Sequence, residues 1–316
     1  MSMQGLLDGF DPPATHSAEI ARVLVDVDLA HMDRLLDYVI PDSLLDQAVV
    51  GCLVRVRFSG ARVDGWIIER TRREVSESTG RVESVVSGTP VLTASLYEAS
   101  RRVAQRFLAT TSQVLSAAVP SRHARAEKEA LACPTPAWPT IVRKDAGSGW
   151  RAYSAGHALL ARLRAGESPR AVVTSLHPHL RACLADAVGA TVSSGRSAVV
   201  ISATSEQASR VACDLEEDLG IPVALSGAEA SPEQRYRVHV DATLGRVPIV
   251  VGTRSAVWVP CARLGLIVII DDGDDRQRER RFPRCDALDV AVQRCAVEGS
   301  GLLVLSAARS VKSQAL

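Results

Sequence analysis

Residues 249–256 read IVVGTRSA, and residues 264–275 read LGLIVIIDDGDD. Ile249–Gly252 and Leu266–Asp271 are strand candidates, short apolar runs that end in a turn or in acids. The same rhythm continues outward, with strands predicted at Ala171–Thr174, Ala198–Ser202, Val223–Leu225 and Leu302–Leu305. Helix patterns fill the intervals, among them Ser205–Leu219 and Ser231–Leu244. Ser231, Pro232 and Gln234 open the second of these with a cap, a proline at the first helical position and a capping-box partner. Strand–helix alternation of this kind predicts an α/β domain over residues 170–316, with a parallel sheet covered on both faces.

Upstream the pattern changes. Ala21–Val27 and Leu53–Phe58 alternate apolar and polar residues, Gly65–Ile68 is a third strand candidate, and Gly60 supplies a turn between the last two. Residues 18–93 therefore read as a small β-rich domain behind a disordered tail, residues 1–17. Thr93 is placed to cap a helix carrying Leu96, Ala99, Val103 and Phe107 at helical spacing, and Pro120 stops a second helical stretch. Two short helices followed by SRHARAEK fit a winged-helix-like module over 94–145. Residues 146–169 read as linker with one helix, Tyr153–Leu163.

The chain has 316 residues, 47% hydrophobic and 23% charged, with a net charge of +1. That is room for two or three domains, without a global basic field to announce a polyanionic partner. No apolar run reaches the roughly 18 residues that span a bilayer. The N-terminus carries acids and prolines where a signal peptide has basic residues, so a cytoplasmic protein is expected. Of 37 basic residues only Lys128, Lys144 and Lys312 are lysines. The seven cysteines form no C-x-x-C pair, which argues against a zinc ribbon and against a disulfide framework.

Several segments together resemble the PriA-type primosomal protein N′ family of replication restart proteins. GTRSA (252–256) with LGLIVIIDDGDD is similar to that family's GTRSA…LGLIIVDEEHD, and Pro283–Ala291 to its PRYHARDVA. Leu303–Ala307 stands where the family has GSAT. Near the N-terminus LDYVIP (36–41), GCLVRVRF (51–58) and Gly65-Trp66 resemble the family's FDYxVP…GxxVxVPFG…G-[WIV] signature. The resemblance runs collinearly from residue 20 to 316. It implies a β-rich 3′-end DNA-binding domain, a winged-helix module and the first RecA-like helicase lobe, with the second lobe and the zinc-binding module of the family lying downstream of these residues.

The departures concern the nucleotide. A lobe of this family needs a phosphate loop after its first strand, glycines that admit the phosphate to the backbone, and a Lys on the β/γ-phosphates. Thr174–Arg181 here reads TSLHPHLR, and no lysine occurs between 145 and 311. In the acidic motif Asp271 persists and Asp272 is one methylene shorter than the family's Glu, while Gly273 and Asp274 replace Glu and His. Asp271, Asp272, Asp274 and Asp275 are then either a metal-binding cluster or solvated carboxylates at a strand end, next to Arg276, Arg278, Arg280 and Arg281. ATP and Mg²⁺ are not expected cofactors.

The resemblance assigns the remaining sites. Asp37 corresponds to an acid in the pocket that holds the 3′-terminal nucleotide of a nascent strand, and a carboxylate suits a free 3′-hydroxyl. Tyr38 belongs to the same motif, and Arg55 and Arg57 are placed to meet the DNA backbone. Thr253 and Arg254 match a motif that contacts single-stranded phosphate, a role that requires no ATP. The implied partners are forked and single-stranded DNA, a helicase loader and a single-strand-binding protein. The expectation is a fork-recognition platform without unwinding activity. Its alternatives are an ATP-dependent 3′–5′ helicase with a non-standard nucleotide site and a protein scaffold with no DNA role.

Overall fold

The computed structural model describes residues 15–138, 141, 146–174, 177–227 and 229–316. Most of the expected tail, and Pro139, Lys144, Ser175 and Leu176, lie outside them. The chain divides into two compact units, one ending at Pro90 and the other beginning at Val91.

The first unit is one antiparallel sheet of β1 (Thr15–Val25), β2 (Leu36–Val39), β3 (Leu53–Phe58), β4 (Ala61–Ser76) and β5 (Val82–Ser87), in the order β2-β1-β4-β3-β5. A parallel bridge between Val39 and Arg81 joins the sheet's two ends, so it curls toward closure around one core. Alternation decides the faces: Val54 and Val56 of β3 are buried with Val23, Ile40, Ile67 and Val82, while Arg55 and Arg57 point to solvent. The β3–β4 hairpin turns on Ser59 and Gly60, both with positive φ, as a two-residue turn of matching twist requires. β1 starts at Thr15, within the segment expected as tail, and β2 and β5 were not foreseen as strands.

The second unit is built on a six-stranded, wholly parallel sheet. Its strands are β6 (Arg170–Thr174), β7 (Ser197–Ile201), β8 (Ala224–Ser226), β9 (Ile249–Gly252), β10 (Leu264–Ile270) and β11 (Gly301–Ser306), ordered β6-β11-β10-β7-β9-β8. Every residue of β7, β9, β10 and β11 is buried, as in a sheet covered on both faces. The crossover helices are α5 (His177–Ser193), α6 (Ser205–Leu219), α7 (Pro232–Thr243) and α8 (Ala287–Glu298). The expected capping box at Ser231 is present.

Between the units' boundary and the sheet lie α1 (Ala94–Phe107), α2 (Thr111–Ala118), α3 (Ala124–Ala132) and α4 (Gly156–Arg164). Thr93 caps α1, its hydroxyl accepting the Leu96 N–H at 3.1 Å. The winged-helix expectation fares less well. Among the described residues 94–138 there is no strand to serve as a wing, and the helices belong to the second unit's own packing. Arg106 of α1 bonds Asp289 of α8 at 3.0 Å, and the Tyr236 hydroxyl of α7 donates to Glu127 of α3 at 2.9 Å. The segment read as linker is likewise pinned: the N–H groups of Gly147 and Gly149 donate to Asp186 of α5, and Trp150 is buried.

His239 of α7 is fully buried and donates from Nε2 to the Val91 carbonyl at 3.0 Å. Burial lowers its pKa from 6.5 to about 4. Its folded pKa lies below the unfolded one, so its contribution is complete above pH 6.5 and is lost as the pH falls toward 4. The expected loss is about 3 kcal/mol across that window. Urea unfolding followed by tryptophan fluorescence should show it, and His239→Gln, whose amide can still donate to Val91, should flatten the profile. An unchanged acid sensitivity in that variant assigns the loss to other groups.

Candidate nucleic-acid interface

On the first unit, paired residues of adjacent strands share a face. The register sets Asp37 of β2 opposite Arg22 of β1, and Arg22 opposite Glu69 of β4. The result is a surface row of alternating charge. Arg22 reaches Glu69 at 2.6 Å and lies 3.6 Å from one Asp37 oxygen, while Arg73 of β4 bonds the other. Asp37 is 37% exposed, and its Oδ1 is buried with no hydrogen-bond donor among the described residues. The carboxylate is thus bracketed by two guanidinium groups with acceptor capacity left over.

Tyr38, the next residue, faces the opposite way. Its ring is buried against Gly80, its hydroxyl donates to the Arg57 carbonyl at 3.3 Å, and burial raises its pKa. That hydrogen bond ties β2 to β3 within the first unit. Arg55 forks onto Asp64 at 2.8 and 3.2 Å, and Arg57 bonds Glu83 at 3.1 Å, so both expected backbone contacts are exposed but carry acidic partners.

On the second unit the loops of interest leave the C-terminal ends of the strands. Only two residues separate the end of β6 at Thr174 from the start of α5 at His177. A phosphate loop at this position relies on glycines and a lysine, and Thr174–Arg181 holds neither. Arg181, a cation near that end of α5, turns away. It bonds Asp214, Glu217 and Asp218 of α6 at 2.7 to 2.9 Å, and hydrogen bonds to Asp218 and Glu217 raise its pKa.

The acidic motif is similarly occupied. Asp271 sits at the end of β10 with φ +53 and accepts from Gln207 Nε2 at 3.1 Å. Asp272 accepts the Ser306 hydroxyl at 2.8 Å on one oxygen and the Ser310 hydroxyl on the other. Asp274 is held below the usual carboxylate range by the Arg276 guanidinium. Asp271, Asp272 and Asp274 are thus hydrogen-bonded within the protein, and among the described residues no group of His, Cys, Asp or Glu is placed to hold a metal ion.

Gly252 ends β9 where an added Cβ would lie 2.1 Å from the Ser226 carbonyl oxygen, so the motif's glycine is required by packing against β8. Thr253 is only 8% exposed, and its carbonyl accepts the Ala256 N–H to start a helical turn over Arg254–Trp258. Arg254, with a third of its side chain exposed, forks onto Glu279 at 3.1 and 3.3 Å. Sequence reasoning overlooked Arg22, Arg73, Glu279, Gln207 and Ser310. The alternation around Arg22 was the one signal that could have placed it beside Asp37.

The sequence profile of the PriA 3′ DNA-binding domain (3′BD) matches residues 22–120. The probable replication restart protein PriA of Mycobacterium tuberculosis (strain H37Rv) is 38% identical over 293 residues, 90% of this chain and 44% of that protein. The chain belongs to the PriA family. The probable PriA of Mycobacterium leprae is 35% identical over a similar span, and the PriA of Bacillus subtilis 33% over 114 residues. The chain spans less than half the length of the mycobacterial PriA proteins it matches. Among solved structures, RecG bound to a three-way DNA junction covers 70% of this chain and 27% of its own, at 16% identity and TM-score 0.35. As a PriA-type chain it joins a stretch matching a 3′ DNA-binding domain to an α/β unit with a six-stranded parallel sheet. Among the described residues no helix is long and apolar enough to cross a membrane.

Proposed function

We propose that this chain recognises forked DNA through the 3′ end of a nascent strand and supports replication restart without hydrolysing ATP. The carrying observation is the match of residues 22–120 to a 3′ DNA-binding domain in a chain whose stretch after β6, Thr174–Arg181, holds neither glycine nor lysine. Asp37, bracketed by Arg22 and Arg73, accepts the terminal 3′-hydroxyl. Arg254 contacts the phosphate of single-stranded DNA, and Thr253 shapes its turn. The residues at the β6, β10 and β11 ends do not fit Mg²⁺·ATP. The lysine is missing, Arg181 is committed to α6, and both Asp272 oxygens are taken by hydroxyls. A helicase loader and a single-strand-binding protein are the partners this role implies. The test is equilibrium binding to forks with and without a leading-strand 3′-hydroxyl, run with and without ATP. Preference for the hydroxyl-bearing fork, indifferent to ATP, is expected, and an equal affinity for both forks overturns the reading.

A further inference from the structure

Arg254 does not stand free. Its Nε and Nη2 form a fork on the Glu279 carboxylate at 3.1 and 3.3 Å, and its Nη1 lies 3.5 Å from the Arg276 carbonyl. The guanidinium fork suits a carboxylate and a phosphate equally well, so the two anions compete for one face. We propose that Glu279 is an internal competitor for nucleic-acid phosphate at Arg254, so that the loop behind the acidic motif sets the strength of this contact. The inference rests on the reading of Arg254 as a phosphate contact.

Two features make Glu279 a competitor and not a passive neighbour. The carboxylate is held independently of Arg254, because Oε1 also accepts the N–H groups of Arg280 at 2.8 Å and Arg281 at 3.1 Å. When Arg254 turns to another anion, Glu279 stays in place and repels it. The loop is also anchored on both sides. Gln277 is buried and donates to the Ile270 carbonyl at 2.9 Å, and Asp286 caps α8 through the Asp289 N–H. With 24% of its side chain exposed, Glu279 is accessible to solvent yet fixed in position. A phosphate arriving at Arg254 therefore meets a neutral pair with the negative partner immobile.

The experiment is titration of labelled homopolymeric single-stranded DNA with the full 316-residue chain and its variants at fixed low salt. Glu279→Gln should tighten binding about three- to tenfold, the range for removing one like charge near a partly exposed phosphate. The log–log salt slope should steepen by about 0.7, one single-strand phosphate contact. Arg254→Ala should weaken binding, and in its background Glu279→Gln should no longer tighten it. Glu167→Gln adds the same net charge just before β6, at the end of the parallel strands opposite to that of Arg254 and Glu279, and should leave affinity within about 1.5-fold because screening isolates it. If Glu279→Gln is unchanged or weaker while Arg254→Ala still loses binding, Glu279 positions Arg254 and the proposal is overturned. Tightening by Glu167→Gln as large as that by Glu279→Gln overturns it as well. An inert Arg254→Ala removes instead the underlying assignment of Arg254 to DNA.

Discussion

Asp37→Ala should weaken binding to a fork carrying a free leading-strand 3′-hydroxyl by about ten- to hundredfold, the loss of one charge-assisted hydrogen bond. A fork without that end should barely respond. The structure sharpens the reason. Arg22 and Arg73 hold the Asp37 carboxylate from two sides, yet its Oδ1 has no hydrogen-bond donor among the described residues. That oxygen is shielded from solvent, so a terminal hydroxyl can donate to it once the side chains around it give way. A 3′-phosphate brings negative charge and no donor to the same oxygen, so on the unaltered chain it should reproduce the mutant's loss. Fluorescence anisotropy of both proteins on both forks, at one salt concentration, makes the comparison. Equal losses on the two forks would mean that Asp37 matters through the arginines it neutralises on the β2-β1-β4 surface, and the 3′-end assignment would go.

Mg²⁺·ATP should bind this chain orders of magnitude more weakly than a working helicase lobe binds it, and saturating fork DNA should elicit no hydrolysis above background. Backbone donors and a lysine together offset the triphosphate charge in phosphate-loop sites, and their absence costs on the order of several kcal/mol. Single-turnover hydrolysis with labelled ATP measures this directly. DNA-stimulated turnover that disappears in Asp271→Ala would instead establish the helicase alternative, with Asp271 exchanging its Gln207 hydrogen bond for a water on the metal.

Much of the second unit was legible because its signals are local. The apolar runs of β9 and β10 and the Thr93 and Ser231 caps each act within a few residues, and β9 falls on the predicted Ile249–Gly252. The short strands β2 and β5 were missed because their pairing is tertiary: β2 is ordered by β1, and β5 by β3. The helices after Thr93 were readable individually, but their destination was not. Whether Leu96 and Val103 face a separate module or α8 depends on partners nearly two hundred residues away, such as Asp289 for Arg106. At the candidate site the motif letters located Asp37 and Arg254. Their counter-charges, Arg73 and Glu279, come from other elements and carry no spacing rule.

The composition of Thr174–Arg181 also bears on reversibility. A catalytic side chain lost by substitution can return by one codon change. A phosphate loop here needs glycines as well as a lysine, and neither change is useful before the other. Meanwhile Arg181 on α6, and Ser306 and Ser310 on Asp272, have become contacts that a restored loop would have to break. On the function proposed above, selection for fork binding offers no path back through such intermediates, so relatives with that role should keep this stretch free of glycine and lysine even where the surrounding sequence drifts.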